Sequence, residues 1–386
     1  MKIAVVCSYD YSAWCLGIFL KKLKLEHDVT VVSDIHEEFE HGHYVNKVKE
    51  WGVKHQYVST YRFMSPYRDL KYLVSLYKVF KKENFDMVIN VATKPNVYGS
   101  IAASLAKVNK IVCFGWGLGL SFEKSRNPAR ILVKYILSSL YWYAFKVSKI
   151  VWFTNENDID YFVSKRILDP NKAFLTRGFV NTDQYSPLAV TQEGTDKLKK
   201  DLGYSVDDKV VIMIARMSWA KGVKYFCEAS DILRAKYPDV KFLMVGMEDK
   251  GSPDSVPLKF LEEYMQKDNF NWLGYRVDIE ELYSMSYLAV FPSYYREGGW
   301  PRGVTEPMSM GKPVITTDTV SCSNAVDHGV NGLLVPPKDS LALSEAIEKI
   351  INDEELAIDF GKKSREKAVS ENDEELVMSQ LVDAII

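Results

Sequence analysis

Short apolar runs alternate with amphipathic helical stretches along this chain, and halfway through the rhythm starts again. The first set of strand-like runs falls at residues 2–7, 28–32, 87–91, 110–114 and 149–153, the second at 210–214, 241–245, 270–273, 288–291 and 314–316. Continuous apolar strands separated by helices belong in parallel sheets covered on both faces, which predicts an α/β architecture of two Rossmann-like halves. A length of 386 residues agrees with two domains of roughly 190 residues rather than one core. The join is expected near residues 177–187, where Gly178 and Pro187 punctuate the chain. This gives domains at 1–187 and 188–370, followed by a terminal segment at 371–386.

In such sheets ligands bind beyond the carboxyl ends of the strands, so the residues that follow each run carry the chemistry. The run at 210–214 leads into Ala215-Arg216-Met217-Ser218-Trp219-Ala220-Lys221-Gly222. Two cations there suit a diphosphate, whose negative charge grows as a bond to it breaks. The alternative is a pair of solvated cations on a loop. The run at 287–292 leads into a glycine-rich turn with two glutamates, Glu297 and Glu306. Ionised carboxylates accept hydrogen bonds from vicinal hydroxyls, as on a sugar or ribose. The amides of Gly298, Gly299 and Trp300 can approach a ligand closely, and a helix starting near Gly303 aims its positive end at a phosphate. Together these segments describe a pocket for a nucleotide sugar.

With these motifs in view, the chain resembles the group 1 (family 4) retaining glycosyltransferases, which have the GT-B fold of two Rossmann-like domains with parallel sheets facing a central cleft. The resemblance runs through residues 215–222, 270–293, 306–318 (EPMSMGKPVITTD) and 328–339 (HGVNGLLVPPKD). It implies that the terminal segment 371–386 crosses back to the first domain, that Arg216 and Lys221 hold the donor diphosphate, that Glu297 meets the donor sugar and that Glu306 binds the ribose. Trp272 and Leu273 would lie at the base, which family habit makes uracil rather than guanine. Arg302 is either a phosphate contact or an ion-pair partner. Eight residues separate the two glutamates where the family has seven, which makes Glu297 the less secure of the pair.

The amino-terminal half matches the pattern more loosely, best at residues 92–108, and there it resembles the subgroup that builds bacterial surface glycans on lipid carriers. Acceptor contacts are expected at Lys94 and Asn96, just after the run at 87–91, with Lys94 meeting an acceptor diphosphate. The 115–119 loop (GWGLG) is not a dinucleotide fingerprint, because its spacing is not GxGxxG and no acidic residue falls between Glu123 and Glu156. It resembles the Gly-Leu-Gly loop of the lipid-carrier enzymes, with Trp116 where they often carry histidine or glutamate. Asp10 is a candidate to substitute for that side chain, or else a turn or helix-capping aspartate.

Charge adds a hint about partners. Residues 1–190 hold 26 Lys and Arg against 17 Asp and Glu, while 191–386 hold 23 against 34, so a basic half precedes an acidic one. The basic half suits an anionic membrane or acceptor, or reflects ordinary surface variation. Residues 128–149 form a helical pattern with Leu132, Tyr135, Ile136, Leu140 and Tyr143 on one face, fit for a lipid interface or for domain packing. Tyr61, Arg62, Phe63, Tyr67, Arg68 and Lys71 make a second candidate contact. Five scattered cysteines without CxxC argue for a reducing cytosol. No leader and no span of about twenty apolar residues is visible. The expected location is therefore cytoplasmic, peripheral at the inner membrane face.

His36, His41 and His43 lie among glutamates in a loop and do not build a metal site; the resemblance implies no metal and no cofactor, the UDP-sugar being a substrate. The expected partners are the nucleotide sugar and a lipid-linked or soluble glycan acceptor, not nucleic acid. Rival readings are an epimerase or phosphorylase of the same fold, and an inactive homologue that binds nucleotide or glycan as a partner subunit.

Overall fold

The computed structural model describes residues 1–35, 43–61, 63–115, 122, 127–320 and 322–386. These divide into two compact units, one of Met1–Thr176 with Glu375–Ile386 and one of Arg177–Glu374. Unit 1 is built on seven strands: β1 (Lys2–Tyr9), β2 (Asp28–Asp34), β3 (Lys54–Tyr57), β4 (Met87–Val91), β5 (Lys110–Gly115), β6 (Ile150–Phe153) and β7 (Ala173–Leu175). They lie in the order β3-β2-β1-β4-β5-β6-β7, and every pairing is parallel.

Unit 2 repeats the plan with β8 (Lys209–Ile214), β9 (Val240–Val245), β10 (Phe270–Trp272), β11 (Leu288–Phe291), β12 (Val314–Thr317) and β13 (Gly332–Val335). Their order is β10-β9-β8-β11-β12-β13, again all parallel. Each sheet reverses direction once, between β1 and β4 and between β8 and β11. Those reversals leave a crevice at the carboxyl ends of the two central strands.

Burial explains the strand sequences. Residues 3–7 of β1 and 210–213 of β8 are fully buried, as strands covered on both faces require. All ten expected runs are strands. The strands not anticipated, β3, β7 and β13, include both edges of the first sheet and one edge of the second. β3 reads Lys-His-Gln-Tyr and is largely exposed, so it carries no apolar signature.

The chain passes between units at Thr176–Arg177, the start of the segment expected to hold the join, whereas the domain bound was expected at its end, 187. Residues 177–187 belong to unit 2, where the Val180 amide donates to the Asn372 carbonyl at 2.8 Å and the Glu374 amide donates to the Val180 carbonyl at 2.9 Å. Tyr185 is buried in that unit's core, and Arg365 donates to the carbonyls of Thr182 (2.9 Å) and Tyr185 (3.1 Å). The helix Glu374–Ile385 is grouped from Glu375 onward with unit 1, tied there by a Lys22–Glu375 ion pair at 2.6 Å.

Candidate active site

The loops after β8 and β11 meet at the switch point of unit 2. Glycine makes the meeting possible. Gly222 has φ +86°, and a Cβ there would stand 2.1 Å from the Pro292 carbonyl oxygen, so no other residue fits without moving the backbone. The Tyr294 and Tyr295 amides both donate to the Ala220 carbonyl, at 2.9 and 3.0 Å, closing one loop onto the other.

This contact brings Lys221 and Glu297 together, 76 residues apart in sequence. Lys221 Nζ donates to Glu297 Oε1 at 2.5 Å, and both side chains are nearly buried, at 13% and 11% exposed. Ser293 Oγ donates to the same carboxylate oxygen at 2.8 Å. The ammonium also lies 5.0 Å from the Tyr295 ring centroid and 5.5 Å from that of Phe291. With the additional residue between the glutamates, Glu297 is paired with Lys221. Arg216, on the same loop as Lys221, is half exposed and donates to Asp249 Oδ1 at 2.8 Å. Asp249 follows β9, whose exit passes so close that a Cβ on Gly246 would lie 1.8 Å from the Ala215 carbonyl.

A helix does begin beyond the glycine turn, one residue before Gly303: it spans Arg302–Ser309. A Cβ on Gly303 would stand 2.5 Å from Phe291 and 2.9 Å from the Ile214 carbonyl, so this glycine lets the helix start pack onto the ends of β8 and β11. Glu306 is buried within the helix, and Arg302 Nε donates to its Oε1 at 2.6 Å. Burial pushes the Glu306 carboxyl above its ordinary range, while the charge and hydrogen bond of Arg302, together with Tyr185, pull it back. Trp300 holds a left-handed backbone (φ +58°) and buries its ring against Gly178, where a Cβ would come within 2.0 Å of the Trp300 Cβ. It anchors the Gly298–Gly299 turn. At the sheet edge, Trp272 Nε1 donates to the Gly246 carbonyl at 3.0 Å and the Leu273 amide to the Met244 carbonyl at 3.0 Å.

The described candidates in unit 1 are engaged by partners within that unit. Lys94 follows β4 but pairs with Asp69 at 2.5 Å and donates to the Phe63 carbonyl at 2.8 Å. Its charge is thus engaged by the helix Pro66–Glu83. Asn96 is fully buried: its Nδ2 donates to the Phe114 carbonyl at 2.8 Å and its Oδ1 accepts from the Phe114 amide at 3.2 Å. Both ends of that amide clamp β5, which suits structure rather than ligand contact. Asp10 is buried and accepts from the Tyr11 amide at 3.0 Å; it is the first residue of the helix Asp10–Trp14, whose cap position is Tyr9, so it does not cap that helix. Trp116 and the Gly-Leu-Gly loop lie outside the described residues, as do His36, His41 and Arg62. Among the described residues no cluster of three His, Cys, Asp or Glu is arranged to hold a metal.

Sequence reasoning missed Ser293, Tyr185 and Asp249, the partners of Glu297, Arg302 and Arg216. Only Asp249 had a local signal, a carboxylate just past a strand end.

The loops around the switch point of one doubly wound unit carry Lys221, Glu297 and Glu306, and a second doubly wound unit lies in the same chain, a plan that GT-B enzymes share. The family of group 1 glycosyl transferases matches residues 194–367, and a glycosyl transferase 4-like family matches residues 2–155. The chain is 31% identical over 352 residues to the N,N'-diacetylbacillosaminyl-diphospho-undecaprenol alpha-1,3-N-acetylgalactosaminyltransferase of Campylobacter jejuni, covering 89% of each. It is 27% identical over 311 residues to the UDP-Gal:alpha-D-GlcNAc-diphosphoundecaprenol alpha-1,3-galactosyltransferase of Escherichia coli, covering 80% of this chain and 77% of that one. Among solved structures, HepE of Anabaena in complex with UDP and glucose superposes with a TM-score of 0.80 at 20% identity, over 100% of this chain and 99% of the other. This chain belongs to the group 1 glycosyltransferases and is an enzyme of that class.

Proposed function

We propose that this glycosyltransferase moves a hexose or N-acetylhexosamine from a UDP-linked donor onto a polyprenyl-diphosphate-linked glycan, with retention of configuration. The observation that carries the donor half is the Lys221–Glu297 contact at the switch point. A diphosphate laid there meets the Lys221 ammonium, which stabilises the charge that develops as the glycosidic C–O bond breaks. Glu297 is then freed to accept from a donor hydroxyl, and Glu306 accepts from the ribose diol. Arg216 adds a second cation on the same loop. The departing diphosphate oxygen takes the proton of the acceptor hydroxyl, so no enzymic nucleophile is required.

The acceptor half is supported by the names of the relatives, which act on undecaprenol-linked sugars. A membrane-borne acceptor calls for membrane contact, and unit 1 offers a surface for it. No helix among the described residues is long and apolar enough to cross a membrane. The helix Pro128–Val147 instead packs through Leu137, Tyr141, Ala144 and Phe145 and leaves Leu132, Tyr135 and Ile136 exposed. Tyr67, Leu70 and Val74 are likewise exposed on the helix Pro66–Glu83. Both helices pack against the turn Pro95–Gly99 that leads out of β4, which places them in one layer of unit 1. Apolar rows of this kind with neighbouring lysines suit an anionic lipid surface.

The test is calorimetric titration of UDP, with GDP as comparator and no added metal, followed by turnover of UDP-sugars on lipid-linked acceptors. UDP binding without turnover on any donor would replace the reading with that of an inactive nucleotide-binding homologue.

A further inference from the structure

Arg302 stands at the start of the helix Arg302–Ser309, one turn before Glu306, so the two side chains share a face. Resting on the donor-site reading above, we propose that Arg302, braced by Tyr185, is a positioning residue that holds the Glu306 carboxylate charged and aimed at the hydroxyl pair of the nucleoside. It would then not be a ligand of the phosphates.

Four observations converge on this. Arg302 meets Glu306 through Nε at 2.6 Å, and its Nη2 reaches the Tyr185 hydroxyl at 3.4 Å, so the guanidinium is set by two groups. Glu306 is only 6% exposed and Tyr185 only 4%, whereas half of the Arg302 side chain is in solvent. The brace is itself fixed, since the Tyr185 carbonyl accepts from Ser309 Oγ at 2.6 Å and from Arg365. Finally, the neighbours that the helix Ile279–Met285 sets against Glu306 do not supply positive charge. The helix Ile279–Met285 contributes Tyr283, whose buried hydroxyl finds no partner among the described residues, and Glu280, which opposes ionisation and is hydrogen-bonded by Gln184. Among the described residues Arg302 is the cation that favours the charged form.

Charge matters here because of what Glu306 must accept. An ionised carboxylate takes two hydroxyl donors, while a protonated one spends an oxygen as a donor. An ordinary exposed i,i+4 pair contributes a few tenths of a kcal/mol. A cation beside a buried carboxylate does more, since without it the acid takes a proton to escape the uncompensated charge.

The experiment uses the full chain, with uridine and UDP as probes, and the variants Arg302→Met, Arg302→Lys, Glu306→Gln and the double variant. Arg302→Met is expected to weaken uridine and UDP alike, by about tenfold for each pKa unit that Glu306 rises above the assay pH. Affinity should return as pH is raised. Thermal stability of the same variant should move the opposite way, improving toward mildly acidic pH as the buried carboxyl protonates. Arg302→Lys keeps the charge but not the planar fork and should rescue in part. On the Glu306→Gln background, removing Arg302 should cost nothing further.

A loss confined to UDP, independent of pH and additive with Glu306→Gln, would overturn the proposal and make Arg302 a phosphate ligand. If the wild type takes neither probe, the donor-site reading falls. The pH dependence of Arg302→Met stability, absent in the double variant, still decides whether Arg302 controls the charge of Glu306.

Discussion

Removing Lys221 should damage stability and donor binding through separable terms. Its ammonium and the Glu297 carboxylate are 2.5 Å apart and nearly buried. Deleting one member of a buried pair costs about 3–5 kcal/mol, because the other charge is left uncompensated. Slight exposure and the Ser293 hydroxyl lessen that, so Lys221→Ala should lose about 2–3 kcal/mol, lowering the melting temperature of a unit this size by about 5–10 °C. For UDP, a charge-assisted contact of about 1.5–3 kcal/mol is lost, a 10- to 150-fold rise in Kd. Adding Glu297→Gln removes the stranded charge. The double variant should thus recover most of the stability while leaving UDP binding weak. Differential scanning calorimetry and UDP titration read the two terms on the same samples. A single variant that melts within about 1 °C of wild type, or a double variant no more stable than the single, would refute the account of this pair.

Gly222→Ala should cost well over the roughly 1 kcal/mol of a left-handed alanine, because its Cβ would also meet the Pro292 carbonyl at 2.1 Å; Gly203→Ala, with similar φ (+79°) and nothing within 4 Å, isolates the backbone term in parallel melts. Lys94→Met should destabilise unit 1 by about 2 kcal/mol through the stranded Asp69, measured by thermal melting; an unchanged melt with weaker acceptor binding would restore the acceptor role. Lys312 donates to the Ser284 and Ser286 carbonyls, and burial, with Lys199 nearby, pulls its ammonium down to about 8. The unfolded chain then binds the additional proton between about pH 8 and the ordinary lysine value, so stability should rise with pH across that window, and Lys312→Met should flatten the rise in a pH series of melts. Replacing Leu132 and Tyr135 by serine should reduce co-sedimentation with anionic vesicles and leave UDP affinity alone.

The central strands of both sheets were legible because burial on both faces writes itself as an unbroken apolar run. The edges β3, β7 and β13 were not, since a strand with one wet side or only three residues needs no such run. At the site, Lys221 and Glu297 were legible as strand-end chemistry, and so was the glycine that lets a helix start press onto two strands. What was not legible is pairing at a distance. Lys94 and Asn96 occupy the predicted positions after β4, but their partners, Asp69 and the Phe114 backbone, lie 25 and 18 residues away and decide what those side chains do. Of the apolar face anticipated on residues 128–149, Leu140 packs against the unit's core, while Leu132, Tyr135 and Ile136 stay outside. Periodicity identifies an apolar face without saying what covers it.

The division of the chain has a consequence for the order of synthesis. Unit 1 is written in two instalments, with all of unit 2 between them. Val377, Met378, Leu381 and Ile385 of the late instalment are essentially inaccessible to water in the finished protein. A ribosome making this chain therefore releases the first sheet before the last helix of its unit, which arrives only after residues 177–374 have emerged. During that interval unit 2 can close by itself, because Val180 and Glu374 join its two ends, while unit 1 waits with an apolar seat open. The later half is thus placed to mature before the earlier one, and a nascent chain stalled near residue 370 would present that seat to chaperones.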